Sequence, residues 1–412
     1  MNAPTPLPRV AEYEKLAYGM FIHWGLYSLL GQGEWVQFMH KIPESEYAKM
    51  KERFTAAAFD GRAIARTAKR AGMRYIILTT RHHEGFSLYD TRGLSDFDAP
   101  HSAAKRDLVA DFVEGCRKEG IVPFFYHTTL DWHHPAYKSD FNAYLDYLHK
   151  SVEVLCTQYG KIGGLWFDGN WDKRDVDWKE DRLYSLIRKH QPEAIVINNT
   201  GLTALGKLGH PEIDAVTFEQ ARATPMNRSG MQKYVAAEMS QTLNLHWGIA
   251  RNDFGYLSVK DVIEDLCACR KVGANYVLNV GPTGEGAIPD CEAALLLRAG
   301  EWVRTHEKSI YDGKPCHVRG NGADFALEDG GSVFLFVHNL PINLPICGNS
   351  GSQGAPRAFS GLKTGIKSVR WLDNGEELAF SQNLDSGVFS LNATGYPYGT
   401  NLVVRVAELL HK

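Results

Sequence analysis

Short apolar runs alternate with amphipathic helical patterns from about residue 20 to residue 307, and this alternation limits the fold more than any other feature of the chain. Strand-like runs lie near 20–24, 74–79, 121–126, 163–168, 194–198, 215–218, 242–247 and 275–280. Helical patterns fill most of the gaps, at 57–71, 106–119, 140–158, 178–190, 259–272 and 290–307. Alternation of this kind implies parallel strands covered by helices, and eight strands is the number that closes a barrel. The expected fold is therefore a (β/α)8-like TIM barrel. Beyond Tyr311 the texture changes to β-runs and glycine-rich turns, such as Ser332-Val333-Phe334-Leu335-Phe336-Val337-His338 and Leu402-Val403-Val404-Arg405-Val406. These predict a separate C-terminal β-sandwich, with the domains divided as 1–312 and 313–412.

The formal net charge is −3, with 44% apolar and 23% charged residues, so no electrostatic argument favours nucleic acid or a membrane surface as partner. A small neutral or polar ligand is expected, and a homo-oligomer is compatible with the sequence. The opening Met-Asn-Ala-Pro-Thr-Pro-Leu-Pro lacks a basic stretch followed by an apolar one. No apolar run approaches the roughly 20 residues of a membrane span. A cytoplasmic location is expected. The seven cysteines (116, 156, 267, 269, 291, 316 and 347) suit neither a disulfide framework nor a zinc site, and are read as reduced, mostly buried thiols.

The chemistry concentrates where strands end. Gly163-Gly164-Leu165-Trp166-Phe167-Asp168-Gly169 is an apolar run that breaks into a carboxylate followed at once by glycine, which places Asp168 on the C-terminal rim of a barrel strand. That rim carries catalytic groups, although an aspartate there also suits a helix cap. Three other strand ends carry polar and aromatic groups: Phe21-Ile22-His23-Trp24-Gly25 with Glu34-Trp35 following, Thr79-Thr80-Arg81-His82-His83-Glu84-Gly85-Phe86, and Tyr126-His127. A metal or a sugar could use such a mouth. The fixed spacing of a zinc hydrolase is absent, and His82 and His83 would point to opposite sides of an extended strand. A sugar needs hydroxyl partners and flat apolar surface, which His23, Trp24, Glu34, Trp35, His82, His83, Tyr126 and Trp166 offer together. Taken singly, each of these is as well explained by a structural role.

Glycoside hydrolysis requires two carboxyl groups, one ionised and one holding a proton. Asp168 is one candidate. The second is Glu219, at the end of the sixth strand, or Glu238, ahead of the seventh, unless either pairs with Arg222, Arg228 or Arg251.

Tyr18-Gly19-Met20-Phe21-Ile22-His23-Trp24-Gly25, Glu34-Trp35, Thr80-Arg81-His82-His83-Glu84-Gly85-Phe86, Lys105-Arg106-Asp107-Leu108, Trp166-Phe167-Asp168-Gly169 and Asn275-Tyr276-Val277-Leu278-Asn279-Val280-Gly281-Pro282 occur in the order found in glycoside hydrolase family 29. Over roughly residues 13–312 the chain resembles these α-L-fucosidases. The resemblance implies an exo-acting, retaining enzyme that needs no metal or organic cofactor. It implies Asp168 as nucleophile, Glu219 as first choice for the acid/base with Glu238 in reserve, and His23, Glu34, Trp35, His82, His83, Tyr126 and Trp166 as the fucose subsite. The loops bearing Trp171, Trp178, Met226 and Trp247 are candidates for the aglycone side. Two stretches depart from the family pattern. Asn198-Asn199-Thr200-Gly201 stands where members often carry an arginine, and Ala237-Glu238 with Trp247-Gly248-Ile249 replaces a more aromatic sequence. Other readings are a related retaining glycosidase for a fucose-like sugar such as a galactoside, and a glycan-binding protein without turnover.

Overall fold

A computed structural model describes residues 3–200, 204–342 and 354–412. Two compact units emerge, one comprising Met1–Leu257 with Ala274–Leu297, the other Ser258–Gly273 with Arg298–Lys412.

In the first unit eight parallel strands close into a barrel in sequence order. They are β1 (Tyr18–Ile22), β2 (Tyr75–Arg81), β3 (Val122–Thr128), β4 (Gly164–Asp168), β5 (Ile195–Asn198), β6 (Ala215–Glu219), β7 (Ala236–Gln241) and β8 (Asn275–Val280). β8 pairs back onto β1 from Tyr18↔Tyr276 to Ile22↔Val280, which leaves no free edge. Seven of the eight strands fall on the runs read from the sequence. The seventh does not: β7 precedes the expected 242–247, and that stretch forms the loop after it. Ala236-Ala237-Glu238-Met239-Ser240 has small residues and a carboxylate where an apolar strand was sought, and burial inside the barrel overrides this weak local preference.

The barrel interior is filled by Phe21, Tyr75, Ile77, Phe124, Tyr126, Trp166, Ile195, Ile197, Ala215, Ala236 and Val277. Tyr13, from the helix Pro8–Leu16, enters the same core and packs edge-on to Tyr75, with ring centroids 5.8 Å apart. Large rings from β1, β2, β3 and β4 share this core with alanines on β6 and β7. Helices Gly61–Arg70 and Leu108–Glu119 cover the outside, and Asp60 and Asp107 cap their first backbone N–H groups.

Among its described residues the second unit contains eight antiparallel strands: β9 (Lys314–Gly320), β10 (Phe325–Glu328), β11 (Ser332–His338), β12 (Ala355–Ser360), β13 (Ile366–Trp371), β14 (Phe380–Asn383), β15 (Val388–Ala393) and β16 (Val404–His411). They hydrogen-bond in the order β13-β16-β11-β10-β9-β12-β15-β14, so one continuous, nearly closed sheet wraps a core that includes Val333, Leu335, Phe359, Trp371, Phe389 and Leu409. The two facing layers of the expected sandwich are two halves of this sheet. Helix Val259–Val272 and the chain from Arg298 onward group with it.

None of the six described cysteines forms a disulfide. Four are buried, while Cys316 is partly exposed and Cys291 exposed; Cys347 lies outside the described residues. No helix among the described residues is long and apolar enough to cross a membrane.

Asp214, just before β6, is fully buried and ties several segments together. Arg9 donates to its Oδ1 at 3.0 Å, Lys233 at 3.4 Å and the Val196 N–H to Oδ2 at 3.1 Å, while Arg188 pairs with Oδ2. Burial opposes the charge, but Arg9, Arg188 and Lys233 outweigh it and hold the carboxyl below its ordinary range. Because the folded pKa is depressed, the stabilisation is complete above the unfolded value and is lost as pH falls through the folded one. Asp214→Ala is expected to lower the unfolding free energy by about 3 kcal/mol at pH 7. In urea titrations the gap to wild type should shrink below about pH 4; an equal gap at pH 7 and pH 3 would show that the charge contributes nothing.

Candidate active site

Leu165, Trp166 and Phe167 of β4 are buried, and the strand delivers Asp168 to the rim with its side chain 15% exposed. Gly169 then turns the chain at φ +113°, where a Cβ would lie 2.8 Å from the Leu130 backbone nitrogen; only glycine fits without strain. Side chains converge on the carboxylate. Trp171 Nε1 reaches Oδ1 at 2.8 Å, the Tyr126 hydroxyl reaches Oδ2 at 3.1 Å, and His83 Nε2 lies 3.5 Å from Oδ2. Burial raises the pKa of Asp168, while Trp171, His82 and Tyr126 pull it back toward the ionised form.

Glu219 ends β6 on the same rim. The Asn199 N–H donates to the Phe167 carbonyl at 2.8 Å, which continues the β4–β5 ladder and sets Asn199 beside Asp168. Asn199 Nδ2 donates to Glu219 Oε2 at 2.6 Å and lies 3.5 Å from Asp168 Oδ1. Through this shared nitrogen, those two carboxylate oxygens are no more than about 6 Å apart. Retaining glycosidases hold their carboxyl groups roughly 5–5.5 Å apart, inverting ones roughly 6.5–9.5 Å. Burial, and then the nearby Asp168 charge, push the Glu219 carboxyl up to about 7, with Asn199 and Trp247 opposing. The environments therefore separate the pair. Asp168, with more donors, takes the negative charge and Glu219 keeps the proton.

A cavity of about 310 Å³ lies over the pair, lined by Phe21, His23, Trp35, His82, His83, Tyr126, Trp166, Asp168, Trp171, Asn199, Glu219 and Trp247. Six of the seven residues read as the fucose subsite are in this lining, and no arginine is. His82 and His83 both reach the cavity, contrary to the alternation of an extended strand. β2 is irregular between Thr79 and Arg81 and ends there, and the turn that follows brings the two rings to 4.1 Å. Gly85 completes that turn at φ +83°, with no room for a Cβ beside Asp131 Oδ1 at 2.5 Å.

Asn279 Nδ2 donates to the Trp247 carbonyl at 2.7 Å, which leaves its Oδ1 to accept from His23 Nδ1–H, also at 2.7 Å. Thr128 Oγ1 donates to the Leu130 carbonyl, so it accepts from His83 Nδ1–H at 2.8 Å. These assignments rest on the surrounding network and leave each ring with Nε2 as an acceptor. Burial, reinforced by His82, lowers the pKa of both His23 and His83 and keeps them neutral.

Glu34 is not in the cavity lining. Its Oε2 accepts the backbone N–H groups of Trp247 at 3.0 Å and Gly248 at 2.8 Å, and so fixes the loop that presents Trp247. Glu238 is also misplaced by the sequence reading. It lies within β7, fully buried beneath the cavity, where Trp166 Nε1 donates to Oε1 at 2.5 Å and the Tyr13 hydroxyl to Oε2. Of the loop residues assigned to the aglycone side, Trp171 and Trp247 line the cavity. Trp178 is buried against Phe141, and Met226 is half-buried elsewhere. Arg228 lies over the Tyr234 ring rather than on either glutamate. Asn199 was noted only as a departure from a pattern, and position past a strand end was the one signal that could have raised it. Glu84 is buried with its Oε2 3.6 Å from His82 Nδ1.

Residues 5–308 match the family model described as Alpha-L-fucosidase. Human tissue alpha-L-fucosidase is 26% identical over 93% of this chain and 84% of its own length. Among solved structures, alpha-L-fucosidase isoenzyme 1 from Paenibacillus thiaminolyticus is 31% identical, covers 98% of this chain and 99% of its own, and superposes with a TM-score of 0.83. Thermotoga maritima alpha-fucosidase, solved in complex with fucose, is 26% identical with a TM-score of 0.77 over 98% of this chain and 97% of its own.

Burial raises the pKa of Glu238 to about 7, against hydrogen bonds from Tyr13 and Trp166. Its removal leaves the Tyr13 hydroxyl and Trp166 Nε1 without an acceptor, so Glu238→Ala should lose about 2–4 kcal/mol of stability in thermal or urea unfolding. Azide should not restore its activity; rescue would place Glu238 at the reaction centre.

Proposed function

Because the chain belongs to the alpha-L-fucosidase family, we propose that it removes terminal α-L-fucose from small fucosylated oligosaccharides or glycosides with retention of anomeric configuration. One observation carries this reading: two rim carboxylates, about 6 Å apart at most, in environments that leave one ionised and the other protonated.

Asp168 attacks the anomeric carbon from the β-face while Glu219 protonates the departing glycosidic oxygen, giving a covalent β-fucosyl-enzyme. Glu219, now ionised, takes a proton from water as the water attacks the same carbon. Asp168 leaves, and α-L-fucose is released. Trp171 and Tyr126 hold Asp168 in place, and their hydrogen bonds stabilise the carboxylate as it departs.

The neutral histidines suit sugar recognition. His83 Nε2 and Asp168 Oδ2 are both acceptors 3.5 Å apart, an opposition that a sugar hydroxyl donating to either one relieves. His23 and His82 offer further partners, while Trp35, Tyr126 and Trp166 supply apolar surface for the ring and its methyl group. Glu34 serves the subsite through the loop it fixes. The cavity is at the small end of ligand sites, which favours one terminal sugar over an internal stretch of chain. Every lining residue belongs to the barrel unit, Met1–Leu257 with Ala274–Leu297, so catalysis is assigned to that unit, within the 1–312 read from the sequence as the barrel domain. Described cysteines without disulfides support action in the reducing cytoplasm.

With 4-nitrophenyl α-L-fucoside, wild type should turn over with a bell-shaped pH profile whose basic limb falls near pH 7, the Glu219 value. Asp168→Asn should lose at least about 10³-fold in kcat. Glu219→Ala should be rescued by azide to yield α-fucosyl azide, because azide displaces Asp168 from the face opposite the covalent bond. Activity on another glycoside alone would move the substrate assignment, and β-configured first product would overturn the two-step mechanism.

A further inference from the structure

Asn199 occupies a place that neither the sequence pattern nor the two-carboxylate mechanism explains. It is 2% exposed, lines the cavity, and stands at the junction of the two reacting acids. Its Nδ2 makes a 2.6 Å bond to Glu219 Oε2 and faces Asp168 Oδ1 at 3.5 Å, while its Oδ1 is buried without a partner. A buried, unmatched amide oxygen costs free energy, so the orientation is held by what the other end of the amide gains. The gain is a short bond to the Glu219 carboxyl, which becomes charge-assisted when Glu219 ionises.

We infer that Asn199 is the positioning residue of the acid/base: its amide fixes the Glu219 carboxyl against the nucleophile and sets how firmly that carboxyl holds its proton. The inference rests on the fucosidase reading for its kinetic consequences, but not for its structural ones. The charged groups that face Glu219 are Asp168 from β4 and Glu34 from the loop after β1, and both favour the protonated form. Hydrogen bonds from Asn199 and Trp247 favour the ionised form. Asn199 therefore limits how far the two neighbouring acids drive Glu219 upward. Its neutral side chain does so without adding a cation, which would strip the proton at neutral pH. An arginine at this position would press the same carboxyl toward the charged state.

Two variants have opposite expected signs. In Asn199→Ala the lost bond should move the basic limb of kcat/KM upward by about one pH unit, since a hydrogen bond to a charged group corresponds to about 1–2 units. Asn199→Arg should move that limb down. kcat in Asn199→Ala should fall about 10–100-fold with KM changed less than about threefold, because the defect is in proton transfer rather than sugar binding. Titration of the Glu219 carboxyl, followed by carbon-13 NMR of labelled glutamate and assigned with Glu219→Gln, should show the same opposite shifts. That readout needs no turnover, so it remains decisive even if the substrate assignment fails. Wild-type inertness on fucosides would count against the function; unchanged Glu219 titration in folded Asn199→Ala and Asn199→Arg proteins would overturn the role of Asn199, whatever their activity.

Discussion

Two carboxylates that face one amide nitrogen inside an aromatic pocket repel each other, and burial weakens the solvent screening between them. At about 6 Å or less, ionising both is costly, so the site settles with one proton shared unequally. The sharing is decided by donors: Asp168 receives Trp171 and Tyr126, whereas Glu219 receives chiefly Asn199. The barrel is what makes this asymmetry permanent. Its closed ladder fixes where β4, β5 and β6 end, and so brings Asp168, Asn199 and Glu219 together.

A second tier of contacts fixes the first. Glu34 clamps the Trp247-Gly248 backbone, Asn279 joins that loop to His23, and Glu238 holds Trp166 from below through a chain that reaches Tyr13. Polar groups buried this way are useful only when fully matched, since each unmatched one loosens the surface that contacts the sugar. Glu34, read from the sequence as a sugar contact, and Glu238, read as a reserve acid/base, both make these supporting contacts.

What the sequence revealed and what it hid follow from the range of the interactions. Strand positions from alternating apolar runs, and Asp168 from a strand that breaks into acid and glycine, depend on local pattern and were legible. β7 was not, because Ala236 and Ala237 carry little β-preference and Glu238 reads as exposed until Tyr13, 225 residues away, is brought to it. The pocket face shared by His82 and His83 depends on a strand irregularity that local alternation does not encode. Asn199 was hidden for another reason: an asparagine beyond a strand suits an ordinary turn, and only the meeting of three strand ends gives its amide two acids to face.

The most direct measurement is to incubate the protein with 2-deoxy-2-fluoro-L-fucosyl fluoride, in which the fluorine slows release of the covalent intermediate, and to sequence the labelled peptide by mass spectrometry. A single fluorofucosyl group on Asp168, removed over time with recovery of activity, is the outcome that a carboxylate pair divided into nucleophile and acid requires. A label on Glu219 or Glu238, or steady turnover of the reagent with no covalent species, would contradict it.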